Sequence, residues 1–309
     1  MSNALLKTSC DTATKTQQQQ QLLGGIAVAA LLAIAPAYAD QIPDEFSTPL
    51  GIQIESSYTY DDNVTRGDGK LLADSAIAIS LRTPVTFPVS DHLQARLTGL
   101  VEAEKFLRYD GLSRLTGGVQ GDLQYRHTAE LSAATYSLFT RASADQYRSN
   151  LRDGQRYSTG LSMLQPLTDR ISLYAALAQN QRNGKNAVFD TRDNSAALNL
   201  DFELNSTGTL YLGAEYHKGD AVTTGSSLYG TNLTVWEDAF RDKNLYSTRL
   251  DGSTVLATLG YNIGLGSNNS FDLSWRQIRS TLNYTNAWWR TSTASYTTNQ
   301  YSVAYLVRL

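Results

Sequence analysis

The sequence predicts an all-β protein, an antiparallel up-and-down transmembrane β-barrel of about twelve strands. Three observations predict this fold class. Apolar residues recur at every second position through most of the chain, the connecting segments alternate between short and long, and the strands are roughly 10–14 residues long. A tilted barrel strand needs about 9–11 residues to cross a bilayer, whereas strands of soluble proteins are usually shorter.

The first 39 residues have the layout of a secretory signal peptide. A polar stretch precedes the apolar run 22–35, which the small-residue site 36–39 follows. We therefore predict a cleaved signal peptide at residues 1–39 and one barrel domain at residues 40–309. A membrane anchor is the alternative, but the apolar run is short for a membrane-spanning helix. Cys10, the one cysteine, precedes the cleavage site, so the mature chain forms no disulfide.

Alternation of period two marks each strand. In the first strand, Ile52 and Ile54 share one face, and Gln53 and Glu55 share the other. The twelve predicted strands lie near 50–60, 76–85, 93–104, 115–126, 131–145, 156–165, 171–182, 193–204, 209–218, 253–263, 270–282 and 297–309. This pattern is typical of strands with one apolar and one polar face.

The connections alternate in length along the chain. Short turns are predicted at 86–91, 127–130, 166–170, 205–208 and 264–269, and longer polar segments at 61–72, 106–114, 146–155, 183–192, 219–251 and 283–296. An outer-membrane barrel with both termini in the periplasm has this layout. A soluble β-sandwich or β-solenoid shows the same period, so strand length and loop alternation are what favour the barrel.

The last strand predicts how the chain reaches its membrane. Apolar residues alternate up to Leu309, which resembles the terminal signal that barrel assembly machinery recognises. We expect this machinery, outer-membrane lipid and lipopolysaccharide as partners, with further envelope proteins left open. Candidates for interfacial aromatic girdles are Tyr58, Tyr60, Tyr157, Tyr216, Tyr261, Trp275 and Tyr296. A net charge of −3 gives no broad basic surface, so we expect no nucleic-acid partner.

Several short segments resemble a known family. The segment Tyr60–Arg66 reads YDDNVTR, and similar stretches are RYDGL at 108–112, RDGQRYS at 152–158 and LTDR at 167–170. They resemble outer-membrane β-barrel porin-like proteins of the exopolysaccharide-operon type, a group of uncharacterised proteobacterial barrels. The resemblance implies a barrel in the outer membrane of a Gram-negative bacterium.

Catalytic and metal-binding patterns are weak. A barrel hydrolase needs a serine nucleophile beside a histidine base, and we interpret His92, His127 and His217 as surface or girdle residues. The first loop is rich in carboxylates, at Asp61, Asp62, Asp68 and Asp74, but it lacks the spacing of a calcium loop. We expect no catalytic residue, no metal and no cofactor.

The polar face of the strands gives the candidate site. Taken inward, it places charged residues of both signs along a lumen. The candidate pore-lining residues are Arg82, Arg96, Glu102, Glu104, Asp122, Arg126, Arg141, Asp145, Arg156, Asp201, Glu203, Glu215, Asp272, Arg276 and Arg308. These charges would either orient small polar solutes across an open channel or pair with one another and plug it.

The resulting functional prediction is a narrow passive channel for small hydrophilic solutes. The alternative is a non-conducting or accessory barrel that serves envelope integrity or the export of a surface polymer. The segment 219–251 is the longest connection and contains an apolar stretch at 233–240. It would either fold over the pore or stand above the membrane as an extended hairpin.

Overall fold

The computed structural model describes residues 51–309 except 68, 70, 129, 131, 227–231, 241–243 and 286–290. The predicted signal peptide at 1–39 lies outside the described residues. The strands are β1 (Gln53–Asp61), β2 (Asp74–Ser90), β3 (Leu93–Phe106), β4 (Arg114–Arg126), β5 (Thr135–Tyr147), β6 (Gly154–Thr168), β7 (Ile171–Gly184), β8 (Thr191–Asn205), β9 (Gly208–Gly225), β10 (Thr234–Glu237), β11 (Leu245–Gly264), β12 (Asn269–Thr285) and β13 (Thr291–Arg308).

These strands form one closed antiparallel ring. Each strand from β1 to β8 pairs with the next, β9 pairs with β11, β11 pairs with β12, β12 pairs with β13, and β13 returns to β1. At this seam, Gln53 lies opposite Arg308 and Asp61 lies opposite Gln300. The short strand β10 pairs with the first four residues of β11 and takes no place in the ring. The protein is therefore a twelve-strand antiparallel barrel, which confirms the predicted fold class and strand count.

The two ends of the barrel differ in their connections. At one end, here called the turn end, the strands are joined by residues 91–92, 127–134, 169–170, 206–207 and 265–268. At the other, the loop end, they are joined by residues 62–73, 107–113, 148–153, 185–190, 226–244 and 286–290. Three 3₁₀ turns, Asp110–Leu112, Asn150–Arg152 and Ala187–Phe189, lie at the loop end. Across the described chain, no helix has the length and apolar character needed to cross a membrane.

The outer face of the barrel is apolar and exposed. Ile79, Leu161 and Leu177 have 54%, 61% and 64% of their surface accessible. Polar residues occupy the inner face instead, where Glu102 and Thr116 are buried. A β-sandwich would bury the apolar face between its two sheets. An apolar exterior around a polar interior is the arrangement of a barrel that spans a membrane, which excludes the sandwich.

Several strands extend further than predicted. Strand β9 continues to Gly225 and β11 begins at Leu245, so much of the predicted loop 219–251 is paired strand. The predicted loop 283–296 shortens in the same way, because β12 runs to Thr285 and β13 starts at Thr291. In contrast, β5 begins at Thr135, four residues later than predicted. The extensions pair polar residues on both faces, such as Asp220 opposite Asp251, so hydrophobic alternation does not mark them.

The aromatic residues near strand ends divide between the two faces. Tyr58, Tyr60, Tyr157 and Tyr216 lie on the outer face with 40–46% of their surface accessible, as a girdle requires. Tyr296 was predicted with them but is only 9% accessible and packs with Leu250, Leu282 and Ala294 inside the loop end. That prediction was wrong because β13 begins earlier than predicted, and its phase turns Tyr296 inward.

The apolar exterior predicts how the barrel responds to an added charge. Val119 lies on the outer face near the middle of β4 and is 45% accessible. In lipid vesicles, Val119→Arg is expected to lower the free energy of unfolding by about 2–4 kcal/mol, because the charge enters hydrocarbon. The control is Asn194→Arg, on the outer face of β8 near the loop end, where the expected cost is about 0–1 kcal/mol. Equal costs in a denaturant titration would contradict a lipid-facing belt at Val119.

Candidate functional site

A polar cavity of about 450 Å³ occupies the interior of the barrel. Side chains from all twelve strands of the ring line it, from Gln53 near the turn end to Thr191 near the loop end. Small residues such as Ala176, Ala178 and Ser195 keep parts of the wall open. Proteins commonly bind small molecules in cavities of about 300–1,000 Å³. The interior is therefore a chamber large enough to hold a small solute.

The structure places all fifteen candidate residues on the inner face, because each shares the phase of cavity-lining residues in its strand. Seven of them line the cavity: Arg82, Arg96, Asp122, Arg141, Arg156, Glu215 and Asp272. The other eight point inward but do not line it. They are Glu102, Glu104, Arg126, Asp145, Asp201, Glu203, Arg276 and Arg308.

Three of these eight belong to a buried ion-pair cluster below the loop end. The guanidinium of Arg114 lies 3.2 Å from Glu102 and 2.9 Å from Glu104. Asp145 pairs with Arg156 on the neighbouring strand and accepts a hydrogen bond from Thr116 at 2.9 Å. These charges neutralise one another on one side of the wall. The sequence prediction missed Arg114 because β4 begins there, one residue before its predicted start at 115.

The remaining five are spread along the inner wall. Arg126 donates a hydrogen bond to Thr135 at the turn end, at 3.1 Å. Asp201 accepts one from Asn199 at 2.6 Å, and Arg276 donates one to Thr258 at 3.3 Å. Glu203 and Arg308 also point inward near the turn end. Arg126, Asp201 and Arg276 thus form hydrogen bonds with other residues of the barrel wall, outside the lining of the cavity.

The charges that line the cavity are separated by sign. Strands β2 to β7, here called the arginine half, contribute five arginines and one carboxylate: Arg82, Arg96, Arg141, Arg156, Arg182 and Asp122. The other six strands, the carboxylate half, contribute four carboxylates and one histidine: Glu55, Asp193, Glu215, Asp272 and His217. Opposite charges on facing walls produce an electric field across the lumen rather than along it. Such a field orients a polar solute that lies between the two walls.

His217 lies in the lumen and is not the surface or girdle residue that the sequence suggested. Its Nδ1 is 2.7 Å from Asp193 and its Nε2 is 2.8 Å from Glu215. Both partners are carboxylates, so both ring nitrogens donate and the ring is held as an imidazolium. The prediction failed because β9 runs past residue 218, which keeps His217 inside the barrel wall.

The contacts of His217 determine whether it can act as a catalytic base. Ser195 lies opposite His217 in the β8–β9 register, which would be suitable placement for a nucleophile and its base. An imidazole that donates through both nitrogens has no lone pair with which to accept the serine proton. Ser195 instead accepts a hydrogen bond from Asn180 at 3.1 Å. The Ser195–His217 pair therefore lacks the geometry of a hydrolase nucleophile.

The loops pack into a lid over the loop end. Its apolar core joins three loops through Val64 and Leu72, Tyr109 and Leu112, and Ala239, Phe240 and Leu245. Phe240 is fully buried, and its ring centroid lies 5.3 Å from that of Tyr109. Residues 232–240, which include β10, thus fold inward over the barrel, while β9 and β11 rise as a paired hairpin. The segment 219–251 thus combines a part that packs against other loops with a pair of strands, and its height above the membrane stays a prediction.

A buried ion pair fastens this lid. Arg152, from the third loop, lies 2.8 Å from Glu237 and stacks over Phe189 and Phe240 at 5.0 and 5.8 Å. Glu237 is fully buried and also accepts hydrogen bonds from Ser247 and from the backbone of Ala239. Burial alone would raise the pKa of Glu237, but Arg152 and these hydrogen bonds lower it below its ordinary value of 4.5. The carboxylate is therefore charged in the closed lid.

The carboxylates of the first loop serve structural contacts. Asp61 pairs with Arg66 at 2.6 Å. Asp74 accepts hydrogen bonds from the backbone of Arg108 and Tyr109, and Asp62 binds Asn299 at 2.9 Å. Asp68, the remaining acidic residue considered there, lies outside the described residues. These interactions connect the first loop to its neighbours at the loop end.

Comparison with known proteins shows which solved structures have a similar fold. No family model and no curated protein matches the sequence. The fold is similar to that of an outer membrane channel from Pseudomonas putida F1, with a TM-score of 0.50 and 12% identity, over 86% of this chain and 100% of the other. The NanC porin gives 0.43 and 9% identity over 83% and 100%, and the KdgM porin gives 0.41 and 10% over 82% and 98%. The chain thus has the fold of an outer-membrane barrel.

Removing the charge of Glu237 is expected to loosen the lid. Glu237→Gln leaves Arg152 without its carboxylate, so the opening free energy of residues 232–240 falls by about 1–3 kcal/mol. Amide hydrogen exchange over this segment measures the change. The control is Lys185→Gln, which breaks the exposed Lys185–Asp153 pair in the same region, with little expected effect. Unchanged exchange in Glu237→Gln would show that the ion pair does not hold the lid.

Lowering the pH is expected to loosen the lid of the wild-type protein, as Glu237→Gln does. A carboxylate whose pKa is lowered by folding stabilises the folded state above its unfolded value and loses this contribution as the pH falls through the folded value. The exchange protection of residues 232–240 should therefore stay constant from pH 7 to about 5 and decline below the ordinary value of 4.5. Glu237→Gln should lose this dependence. A decline of equal size in both proteins would assign the effect to other groups.

Proposed function

We propose that the protein is a narrow passive channel for small hydrophilic solutes in the outer membrane of a Gram-negative bacterium. One observation carries the proposal: a closed barrel with an apolar exterior encloses a polar cavity of about 450 Å³. A protein with this distribution of surfaces has lipid outside and water inside. A water-filled, charge-lined interior is the physical basis of passive solute flux.

The proposed location rests on several features. The exposed apolar belt needs hydrocarbon around it, and the fold is similar to that of a solved outer membrane channel. The sequence at 1–39 predicts export, and the alternating last strand predicts recognition by barrel assembly machinery. Lipid and lipopolysaccharide would surround the belt. With turns facing the periplasm and loops facing outward, both termini would be periplasmic.

A transport role fits the chemistry of the lumen better than a catalytic one. His217 is held by two carboxylates and cannot serve as the base for Ser195. The lining offers instead charges of both signs on facing walls, a feature that acts on a passing solute without bond making.

The lid and the ion pairs explain why the proposed channel is narrow. The lid covers part of the loop end, and the Arg114 cluster fills part of the lumen beneath it. A link to exopolysaccharide export, with an accessory role beside partner proteins, stays a prediction from the motif resemblance at residues 60–66.

Single-channel recording tests the proposal. Refolded residues 40–309, with folding checked by heat-dependent gel mobility, are expected to give small discrete current steps in a planar bilayer. Replacing 226–245 with an Asn-Gly turn should raise the conductance, because this removes residues 232–240 from the lid. The replacement is feasible because Gly225 pairs with Tyr246 across the hairpin.

A matched control is available at the turn end. Arg126 pairs with Thr135, so residues 127–134 can also be replaced by Asn-Gly without disturbing the register. This variant should conduct like the full chain, because the replaced segment lies away from the lid. A folded barrel that stays silent, both with and without its lid, would contradict the channel and favour the accessory role.

A further inference from the structure

Two arginines on one wall of the cavity form no ion pair among the described residues, although each has a carboxylate nearby, Glu55 for Arg82 and Asp122 for Arg96. Arg82 and Arg96 both line the cavity. The ion pairs found in the described part of the chain use other arginines, namely Arg66, Arg114, Arg148, Arg152, Arg156 and Arg182. The Nε of Arg96 is buried and has no hydrogen-bond partner among the described residues. A buried donor without a partner is costly, so a ligand that supplies an acceptor gains free energy there.

The carboxylate half offers acceptors in complementary positions. His217 engages one oxygen of Asp193 and one oxygen of Glu215, and Asn180 donates to that same oxygen of Asp193. The second oxygen of each carboxylate is left for a cation. The two side chains are 19% and 17% accessible, so they can be reached from the cavity. With one imidazolium between two carboxylates, this group carries a net negative charge.

An apolar ledge lies between the two charged groups. The ring of Phe139, on β5, lies over Gly160 of β6, where an added Cβ would stand only 2.8 Å from the ring. Glycine at this position therefore lets the aromatic ring lie against the wall rather than across the cavity. Tyr174 and Ala176 of β7 continue the lining beside it. Such a surface suits a short chain with few hydroxyl groups better than a heavily hydroxylated solute.

We propose that the cavity is a recognition subsite for small zwitterions whose charges are several bonds apart, the chemistry of a short peptide with free termini. The proposal rests on the channel function proposed above and names its preferred solute class. Arg82 and Arg96 bind the carboxylate, and Asp193 and Glu215 bind the ammonium group. Backbone walls of a tilted twelve-strand barrel stand about 24 Å apart, so opposite walls reach a solute only at its two ends.

A set of four compounds of matched size tests this directly. Diglycine carries both charges, and its amide carries only the positive charge. Its N-acetyl derivative carries only the negative charge, and its N-acetyl amide carries none. Interruptions of the single-channel current by each compound give its apparent affinity. Diglycine is expected to bind about tenfold more tightly than either singly charged compound, because each charge-assisted contact is worth about that factor.

Two double variants test which wall of the cavity binds which charge of the solute. The double variant Arg82→Gln and Arg96→Gln should remove the advantage of diglycine over its amide and keep its advantage over the N-acetyl derivative. The double variant Asp193→Asn and Glu215→Gln should do the reverse. Lys105→Gln and Asp251→Asn make the same charge changes on the outer face and should alter neither ratio. Equal affinities for all four compounds, or equal affinities for diglycine and its N-acetyl derivative, would overturn the proposed subsite. Neither result would contradict the proposed channel function.

A barrel that does not conduct is tested in a different way. Calorimetric titration of diglycine into the folded, detergent-solubilised chain measures binding without current. Binding that is lost in the Arg82→Gln and Arg96→Gln variant would support the subsite even though the channel function has failed. No binding by the wild-type chain would overturn the subsite as well.

Discussion

The structure depends on the closure of the ring. In hydrocarbon, an unpaired backbone N–H or C=O costs several kcal/mol, so a sheet that spans a membrane can have no free edge. The pairing of β1 with β13 meets this requirement, and it places Gln53 directly opposite Arg308. Closure also fixes the register, and the register determines which alternate residues face the interior. The apolar belt and the charged lumen are two consequences of one geometric condition.

Closure encloses charges that must then be neutralised or hydrated. The buried acids near the loop end are paired, since Arg114 contacts both Glu102 and Glu104 and Arg156 contacts Asp145. The lining residues nearer the centre are less completely paired, and they divide by sign between the two halves of the wall. Pairing stabilises one part of the interior, while separation leaves a field in the other. Both arrangements considered for the lumen charges, pairing and separation by sign, are thus found in different parts of one barrel.

Period-two alternation was enough to predict the ring, its strand count and the inward direction of residues such as Arg96 and Glu215. It could not predict where strands end above the belt, because polar residues on both faces leave no hydrophobic signal there. This is why Tyr296 and His217 were misplaced and Arg114 was missed. Which inward charges pair was also beyond the sequence, because pairing depends on side-chain reach across strands that closure brings together. The lid core was equally hidden, since Val64 and Phe240 are far apart in the chain.

The lid draws its contacts from widely separated parts of the chain. Thr224, at the end of β9, donates a backbone hydrogen bond to Thr65, in the loop after β1, at 2.9 Å. These segments become neighbours only after the strands between them have joined across the seam. The lid can therefore form only on a completed ring, and a chain arrested before closure would expose Phe240 and Leu112 together with its open strand edges. Burial of the lid core thus marks the point in assembly at which the barrel no longer offers an edge to other chains.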